Sequence, residues 1–295
     1  MPTRPSPEPA SDSRNEVLPR HGTAALKRWF HALPEAEQAI LLLDYDGTLA
    51  PFTVDRAQAK PYPGIVELLR EISIPETNRI VVVSGRTSSE VVALLGMQPA
   101  PEIFGLYGRE RRTTDGAVTR RPLDETDVRA LGDAERWLDY QELHDRAEFK
   151  PGSVAVHWRG LEENTVTEIR ARVLLGWRTI AEGRKLRLEE FDGGLEIRPS
   201  EDNKGTVIGT ILAEAGENAA VAFLGDDAAD EDAFEALRGR GLSVLVRPDW
   251  RQTAADVWLR PPAGLLEFLT WWRDSRRAAT GQNPDRKAHQ AGIEF

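Results

Sequence analysis

The sequence predicts a doubly wound α/β core with a mostly parallel sheet, into which a smaller α+β cap domain is inserted. Short apolar runs alternate with segments of helical spacing along most of the chain. This alternation is typical of a parallel sheet that is covered by helices on both faces. A middle segment differs, because its strands alternate apolar and polar side chains. Such strands form a sheet with one buried face, and they therefore predict a separate cap.

The domain boundaries follow from these patterns and from local composition. We expect the core to comprise residues 23–112 and 199–273, with the cap at 113–198. Residues 1–22 are rich in proline, serine and charge and lack the apolar core of a signal peptide, so we expect a disordered leader. Residues 274–295 are expected to form a disordered tail.

The composition excludes several classes of site and partner. A net charge of −10 over 295 residues argues against nucleic acid, whose phosphates select basic surfaces, whereas a small phosphorylated ligand needs only a local positive pocket. The chain has no cysteine, which excludes disulfides, thiolate catalysis and cysteine metal sites. No apolar run approaches the roughly 18–20 residues of a membrane-spanning helix, so we expect a cytoplasmic protein without a membrane partner. The oligomeric state is open, and a monomer is compatible with the sequence.

The first two predicted core strands end in polar turns. Ile40–Leu43 is a short apolar run that stops at Asp44-Tyr45-Asp46-Gly47-Thr48, and a helix is predicted after it over Pro63–Ile72. The segment Arg79–Arg86 is rich in β-branched residues and ends in Ser84-Gly85-Arg86. Both turns therefore lie where a buried strand meets a loop.

The later elements complete the alternation of strands and helices. Thr87 and Glu90 fit the capping box of a helix that stops at Gly96. The remaining predictions are a helix at Asn203–Gly216, a strand at Ala219–Asp227, a helix at Asp230–Leu237, a strand at Leu242–Pro248 and a closing helix at Ala263–Asp274.

The predicted cap strands have one apolar and one polar face. Val154, Val156 and Trp158 point to one side of their strand, and Leu195 and Ile197 repeat the pattern on another. We expect two helices to cover the apolar face and the polar face to stay open. The polar positions on that face are His157, Arg159, Glu196 and Arg198.

Polar side chains are predicted to meet at one edge of the core sheet, since Asp44, Ser84 and Asp226 each follow the carboxyl end of a strand. Asp44 and Asp46 are two residues apart and are expected to point into the same space. There they repel each other unless a cation lies between them. Mg²⁺ prefers oxygen ligands and suits such a site, to which Asp226 and Asp227 are expected to add carboxylates.

A phosphoryl group is the anion that this site favours. Lys204 heads a helix and can balance the charge of the group, while Ser84 and Gly85 lie on a loop beside a helix N-terminus, which binds anions. One carboxylate then attacks phosphorus to form an aspartyl phosphate, and the other protonates the leaving oxygen and later deprotonates water. Metal and lysine would hold the equatorial oxygens.

Each motif also has a simpler interpretation. The Asp44–Asp46 turn could be a calcium loop, but Leu49 stands where an EF-hand needs glycine, and a strand rather than a helix precedes it. Taken alone, Ser84 fits a turn, Lys204 fits a surface lysine and Asp226 fits an acidic helix start. The polar face of the cap strands fits a solvated surface.

The motifs resemble those of a known family. "DYDGT", the serine of "VVVSGR", the lysine of "NKG" and "GDDAADEDAF" match, in this order, the motifs of the haloacid-dehalogenase-like phosphohydrolases. Between residues 38 and 270 the longer stretches "LLLDYDGTLAPF", "EFKPGSVAVHWR" and "LEIRP" are similar to trehalose-6-phosphate phosphatases. The resemblance implies a Rossmann-like core, a C2-type cap and the last step of trehalose biosynthesis.

The resemblance also implies roles for individual residues. It implies Asp44 as the nucleophile, Asp46 as the acid/base, and Mg²⁺ held by Asp44, the backbone carbonyl of Asp46 and Asp226. In that family the cap holds the sugar with polar side chains. The matching positions here are Glu148, Lys150, Arg159 and Glu196.

One segment departs from the pattern of that family. Tyr107 stands where the family frequently has histidine or asparagine, whereas Glu110 is kept. This departure bears on the contacts at the cap hinge and on the sugar preference, but it does not touch the core motifs.

Two other functions stay open at this point. The substrate could be a different sugar phosphate, of the sucrose or mannosylglycerate type. The protein could also be a sensor that binds a sugar phosphate without catalysis, although the intact set of core motifs argues against this.

Overall fold

The computed structural model describes residues 22–279, apart from Val54 and Asp192. The described residues form an eight-stranded sheet, a four-stranded sheet and eight α-helices. The strands are β1 (Gln38–Leu43), β2 (Asn78–Val83), β3 (Glu102–Gly105), β4 (Glu110–Arg112), β5 (Val118–Arg120), β6 (Ala147–Lys150), β7 (Ser153–His157), β8 (Leu186–Phe191), β9 (Gly194–Pro199), β10 (Ala219–Gly225), β11 (Leu242–Val246) and β12 (Val257–Leu259). The helices are α1 (Thr23–Ala32), α2 (Ile65–Ser73), α3 (Ser88–Leu95), α4 (Glu125–Tyr140), α5 (Glu163–Ala181), α6 (Lys204–Glu214), α7 (Glu231–Leu237) and α8 (Ala263–Ala279).

The large sheet confirms the predicted doubly wound α/β core. Its strand order is β12-β11-β10-β1-β2-β3-β4-β5, and only the pairs formed by β4 and β5 are antiparallel. The strand that precedes the first acidic motif, β1, lies between β10 and β2, where Leu43 is aligned with Leu224 and Val82. The polar turns after these three strands therefore leave the same edge of the sheet.

Two apolar layers explain why β1 is hydrophobic without interruption. Leu41 and Leu43 pack on one side of the sheet against α1, α2, α3 and α8, whereas Ile40 and Leu42 pack on the other side against α6 and α7. A central parallel strand is buried on both faces, so it shows a continuous apolar run rather than alternation.

The start of α3 has the capping box that its sequence predicts. Thr87 Oγ1 accepts a hydrogen bond from the backbone N–H of Glu90 at 3.3 Å, and Glu90 Oε2 accepts one from the N–H of Thr87 at 2.9 Å. Gly96 ends the helix with φ 63°, the left-handed conformation that glycine adopts without strain. This capping box thus fixes the point at which the loop that carries Ser84 and Gly85 enters α3.

The four-stranded sheet, in the order β6-β7-β9-β8, is antiparallel throughout and forms the predicted cap. Its apolar face packs against α4 and α5, with Trp177 fully buried in this layer. The prediction that the opposite, polar face is open was wrong. Glu196 and Arg198 are 1% and 2% exposed, because this face lies against the core and their charges are paired there.

Two predicted boundaries also need correction. The cap begins after residue 120 rather than at 113, because Val118 pairs with Arg112 and thereby adds β5 to the core sheet. The closing helix runs to Ala279 rather than ending at Asp274, so the core extends beyond its predicted end at residue 273. Its last turn is held by the buried Arg276, which donates hydrogen bonds to the carbonyls of Leu33 and Ala36 at 3.0 and 2.8 Å.

Two further predictions concern the ends of the chain and the membrane. The predicted leader lies outside the described residues except for Gly22, and the predicted tail beyond Ala279 lies outside them as well. Among the described helices, none combines the length and the hydrophobicity that crossing a bilayer requires.

Candidate active site

The structure brings the predicted core residues together at the carboxyl edge of the large sheet. Asp44 follows β1, Ser84 follows β2 and Asp226 follows β10, while Lys204 is the first residue of α6. Asp44, Ser84 and Lys204 line one cleft between the core and the cap, together with Gly85. Strand ends and a helix start thus deliver these side chains from distant parts of the chain.

Asp44 and Lys204 are buried and in direct contact. Lys204 Nζ donates hydrogen bonds to Asp44 Oδ1 and to Asp230 Oδ1, each at 2.6 Å. Asn203 caps α6 by accepting a hydrogen bond from the N–H of Thr206 at 2.9 Å, which sets the direction in which Lys204 leaves the helix. The ammonium group therefore lies between two carboxylates and next to the predicted nucleophile.

Three carboxylates form a buried cluster at the floor of this site. Oxygens of Asp44, Asp226 and Asp230 lie within 4.8 Å of one another. Asp230 Oδ2 accepts hydrogen bonds from the backbone N–H groups of Asp226 and Asp227 at 2.8 and 3.0 Å, so it orders the loop after β10. Asp226 Oδ1 is buried and has no hydrogen-bond partner among the described residues.

A glycine lets the first motif approach this cluster closely. A Cβ atom on Gly47 would lie 2.2 Å from Asp226 Oδ2, and the backbone of Gly47 has φ 86°. Both the close approach and the left-handed conformation exclude a larger residue. The turn after β1 therefore packs directly against the carboxylate that β10 supplies.

The acidic cluster carries more negative charge than Lys204 offsets. Burial raises the pKa of Asp44 to about 8 against the opposing effect of Lys204, with Asp230 adding to the rise. Burial, with Asp227 and Asp44 nearby, raises the pKa of Asp226 well above its ordinary value. An uncompensated group of carboxylate oxygens with one orphaned acceptor fits a hard divalent cation.

Asp227 and Asp46 lie near the cluster without belonging to it. Burial raises the pKa of Asp227 to about 6, and its Oδ1 accepts a hydrogen bond from the N–H of Ala229 at 2.9 Å, which caps the short helix that follows. Asp46 lines the cleft with Asp44 as predicted, but its carboxylate is bound by Arg86. Nε of Arg86 lies 2.6 Å from Oδ2, and Nη2 lies 2.7 Å from Oδ1.

The four predicted sugar-contact residues all line the cap side of the same cleft. Lys150 Nζ lies 2.9 Å from Glu196 Oε1, which also accepts a hydrogen bond from Ser153 Oγ at 2.6 Å. His157 Nε2 lies 3.0 Å from Glu148 Oε2. Arg159 Nη1 donates a hydrogen bond to the carbonyl of Thr53 at 3.2 Å, across the cleft on the core.

The cap carboxylates are matched by cations. Burial alone would raise the pKa of Glu196, but Lys150 and Arg198 outweigh it and hold the pKa at about 2. The pKa of Glu148 is likewise about 2, because His157, Lys150 and Arg56 outweigh the effect of burial. The negative charges on this side of the cleft are therefore balanced by neighbouring cations, whereas those on the floor of the site are not.

Arg56, Arg86 and Tyr107 are among the residues of the cleft that sequence reasoning missed as parts of the site. Arg86 directly follows Ser84-Gly85, so its position in the same loop was a usable signal. Tyr107 lies in the segment that departs from the family pattern, and no local pattern encodes its stacking contact with Arg198. Arg56 forms an ion pair with Glu148 across the cleft, and no motif marks it.

Comparisons with known proteins agree with this arrangement. A family model described as trehalose-phosphatase matches residues 42–256. The trehalose-phosphate phosphatase of Mycobacterium leprae is 30% identical over 256 residues, which cover 79% of this chain and 57% of that protein. The probable trehalose-phosphate phosphatase 4 of Oryza sativa subsp. japonica is 28% identical over 258 residues, which cover 81% of this chain and 66% of that protein. The chain thus spans less than two thirds of the length of both relatives.

A solved structure supports the fold. The C-terminal domain of the C. albicans trehalose-6-phosphate phosphatase matches with a TM-score of 0.74 and 19% sequence identity, covering 88% of this chain and 99% of that one. At this identity the match concerns the fold alone. The family model, however, covers well over half of the chain, and the chain therefore belongs to the trehalose-phosphatase family.

Proposed function

We propose that this protein is a Mg²⁺-dependent phosphatase that hydrolyses trehalose 6-phosphate to trehalose and phosphate, in trehalose biosynthesis. One observation carries the proposal. The cleft has a floor rich in carboxylates, where Asp44 contacts Lys204, and a polar cap surface lies opposite this floor. Family membership supports the substrate, since the relatives are named for trehalose phosphate.

The donor atoms at the floor of the site support magnesium as the cofactor. Asp44, the backbone carbonyl of Asp46 and Asp226 would hold the ion, and the unpartnered Oδ1 of Asp226 supports this set. All of these ligands are oxygens, the donor type that Mg²⁺ prefers. When bound, the ion neutralises the clustered carboxylates and polarises the phosphoryl oxygens.

Asp44 is the proposed nucleophile. Its carboxylate attacks phosphorus, the bond from phosphorus to the sugar oxygen breaks, and an aspartyl phosphate forms. Lys204 holds one phosphoryl oxygen while it orients Asp44, and the loop of Ser84 and Gly85 receives the others. The contact between Lys204 and Asp44 supports this assignment, because it holds the Asp44 carboxylate in place at the carboxyl end of β1.

Asp46 is the proposed acid and base. For this role the side chain must release Arg86, which holds both carboxylate oxygens, and take up a proton. That proton passes to the sugar oxygen as the ester bond breaks, and the resulting carboxylate then takes a proton from the water that attacks the aspartyl phosphate. Hydrolysis restores Asp44 as a carboxylate, restores Asp46 as an acid and releases phosphate. The side chain of Asp46 is 28% exposed in the cleft, which leaves it accessible to the leaving group and to water.

The sugar is proposed to bind on the cap side. Glu148, Lys150, Arg159 and Glu196 line the cleft and offer charged acceptors and donors to which sugar hydroxyls can hydrogen-bond. Because the carboxylates are already paired with cations, hydroxyl groups can share these partners without leaving a buried charge alone.

A panel of sugar phosphates tests the proposal. Phosphate release is measured with trehalose 6-phosphate and with phosphates of the sucrose and mannosylglycerate types, each with Mg²⁺ and with a chelator. We expect the highest kcat/KM with trehalose 6-phosphate and no turnover without metal. Preference for another sugar phosphate would assign that ester instead, and tight binding without any phosphate release would favour a sensor.

A further inference from the structure

Tyr107 lies where the phosphate loop of the core meets the cap. It lines the cleft, and its backbone N–H donates a hydrogen bond to the carbonyl of Ser84 at 3.0 Å. The preceding N–H, of Leu106, donates to the carbonyl of Arg86 at 2.8 Å. The loop that carries Tyr107 is therefore fastened to the loop that is proposed to bind phosphate.

The backbone at this position is held in a conformation that non-glycine residues seldom adopt. Leu106 and Tyr107 have φ values of 52° and 55°, both in the left-handed region. Such a conformation persists only where the surroundings enforce it, and it is concentrated at functional sites. The two hydrogen bonds to the phosphate loop supply this enforcement and direct the ring of Tyr107 into the cleft.

The ring packs on a glycine of the phosphate loop. A Cβ atom on Gly85 would lie 2.5 Å from Cζ of Tyr107 and 2.6 Å from its hydroxyl oxygen. Only a glycine permits this approach, so the positions of Gly85 and Tyr107 are fixed together. Burial, with Glu196 nearby, raises the pKa of the Tyr107 phenol well above its ordinary value, so the ring stays neutral.

The cap places an arginine on this ring. Cζ of Arg198 lies 3.8 Å from the centroid of the Tyr107 ring, close enough for a stacked cation–π contact. Arg198 is 2% exposed, and Nη1 faces Glu196 Oε2 at 3.5 Å. Glu196 in turn holds Lys150 at 2.9 Å. An unbroken series of contacts therefore leads from Gly85 to the ammonium group of Lys150.

We propose that Tyr107 is a positioning residue that couples the two ends of the substrate site. Its ring sets the position of Arg198, and through Arg198 it sets Glu196 and Lys150 relative to the phosphate loop. A substrate with a sugar is then held at both ends when the cap packs on Tyr107, whereas a phosphate ester without hydroxyl groups gains nothing from this alignment. The inference rests on the proposed function.

The test compares two esters in the full-length enzyme with Mg²⁺. One is trehalose 6-phosphate, and the other is p-nitrophenyl phosphate, which has no sugar hydroxyls. We expect Tyr107→Leu to lower the ratio of the two kcat/KM values by roughly ten- to thirty-fold, the range of a desolvated cation–π contact, mainly through a higher KM for the sugar ester. Tyr107→Phe retains the stacking ring but removes the hydroxyl group, which hydrogen-bonds Glu196, so it should lose less of the ratio than Tyr107→Leu.

Two further variants separate positioning from damage to the fold. Arg198→Lys keeps the charge but removes the planar group, so it should lower the same ratio of kcat/KM values. In the double variant with Tyr107→Leu, the ratio should fall by less than the product of the two single reductions. Tyr140→Leu serves as a matched control, because Tyr140 is 84% exposed on α4, and it should leave the ratio unchanged.

Several results would overturn the proposal. One is that Tyr107→Leu lowers kcat/KM equally for both esters, or for neither. Another is that the ratio in the double variant falls by the full product of the two single reductions. If Tyr107→Leu does not fold, Arg198→Lys decides, and a wild-type ratio in that variant also overturns the proposal. Should the wild-type enzyme prefer a different sugar phosphate, that ester replaces trehalose 6-phosphate and the comparison stands. A wild-type enzyme that hydrolyses no sugar phosphate overturns both this inference and the proposed function.

Discussion

The floor of the site and the cap surface opposite it both carry carboxylates, yet the pKa values of these two sets of carboxylates shift in opposite directions. In the core the pKa values of Asp44 and Asp226 are raised, because burial and neighbouring carboxylates outweigh Lys204. In the cap the pKa values of Glu148 and Glu196 are lowered to about 2, because the surrounding cations outweigh burial.

The difference shows how one cleft can separate chemistry from recognition. A cluster with surplus negative charge is unstable alone, and it gains most from a cation that also binds phosphate. A cluster with matched charges is stable alone, and it can present fixed donors and acceptors to neutral hydroxyl groups. Perturbed pKa values of the first kind are typical of reactive sites, whereas the second kind is typical of a rigid binding surface.

The largest expected effect comes from replacing the proposed nucleophile. Asp44→Asn should reduce phosphate release to background, because an amide cannot attack phosphorus. The fold should persist, since Lys204 keeps Asp230 as its partner. Steady-state assays together with thermal melts check both statements. Wild-type turnover in this variant would exclude Asp44 as the attacking group.

A smaller loss is expected from the acid/base. Asp46→Asn should lower kcat/KM for trehalose 6-phosphate, which reports the step that breaks the ester bond, by on the order of 10²–10⁴, the usual contribution of general acid–base catalysis. The loss should shrink for p-nitrophenyl phosphate, whose leaving group departs without a proton. Kinetics with both esters provide the measurement. Equal losses for the two esters would contradict the role of Asp46 in protonating the sugar oxygen.

The cap predicts an effect on stability that depends on pH. Glu196→Gln should lower the free energy of unfolding by about 3 kcal/mol near neutral pH, because Lys150 and Arg198 remain buried with less opposing charge. The folded pKa of Glu196 lies below its ordinary value of 4.5, so its contribution is present above that pH and is lost as pH falls toward 2. The gap between wild type and variant should therefore narrow, by about 1 kcal/mol on going to about pH 4.

Urea unfolding at the two pH values measures this gap. Glu190→Gln is a matched control on the neighbouring strand β8, since Glu190 is exposed and pairs with Arg170 at the surface. It should change the free energy of unfolding by less than about 1 kcal/mol at either pH. A gap for Glu196→Gln that stays constant or widens in acid would show that its charge is not held by the cap cations.

Sequence alone could place the core residues because strand ends are strong signals. An apolar run that stops at Asp44, Ser84 or Asp226 marks the carboxyl edge of a parallel sheet, and the topology then gathers these positions. Lys204 could be placed in the same way, because Asn203 marks the start of its helix.

The rest depends on contacts between distant surfaces. Alternation along β7 and β9 showed which cap face is polar, but it could not show that the core covers that face and buries Glu196. The bidentate pairing of Asp46 with Arg86 and the stacking of Tyr107 on Arg198 are set by side-chain directions that no local pattern encodes. No local pattern encodes the pairing of β5 with β4 either, and the predicted start of the cap was therefore misplaced.

The central claim is that the core cluster is completed by a cation and the cap cluster is not. Thermal melts of wild type, Asp226→Asn and Glu196→Gln, each with a chelator and with Mg²⁺, test it most directly. Mg²⁺ at about a hundred times its Kd should raise the free energy of unfolding of wild type by about 3 kcal/mol, which corresponds to a rise in Tm of roughly 5–10 °C. Glu196→Gln should show the same shift from a lower starting Tm. Asp226→Asn should show none, and without metal it should be at least as stable as wild type. An equal Mg²⁺ shift in wild type and Asp226→Asn would contradict the account.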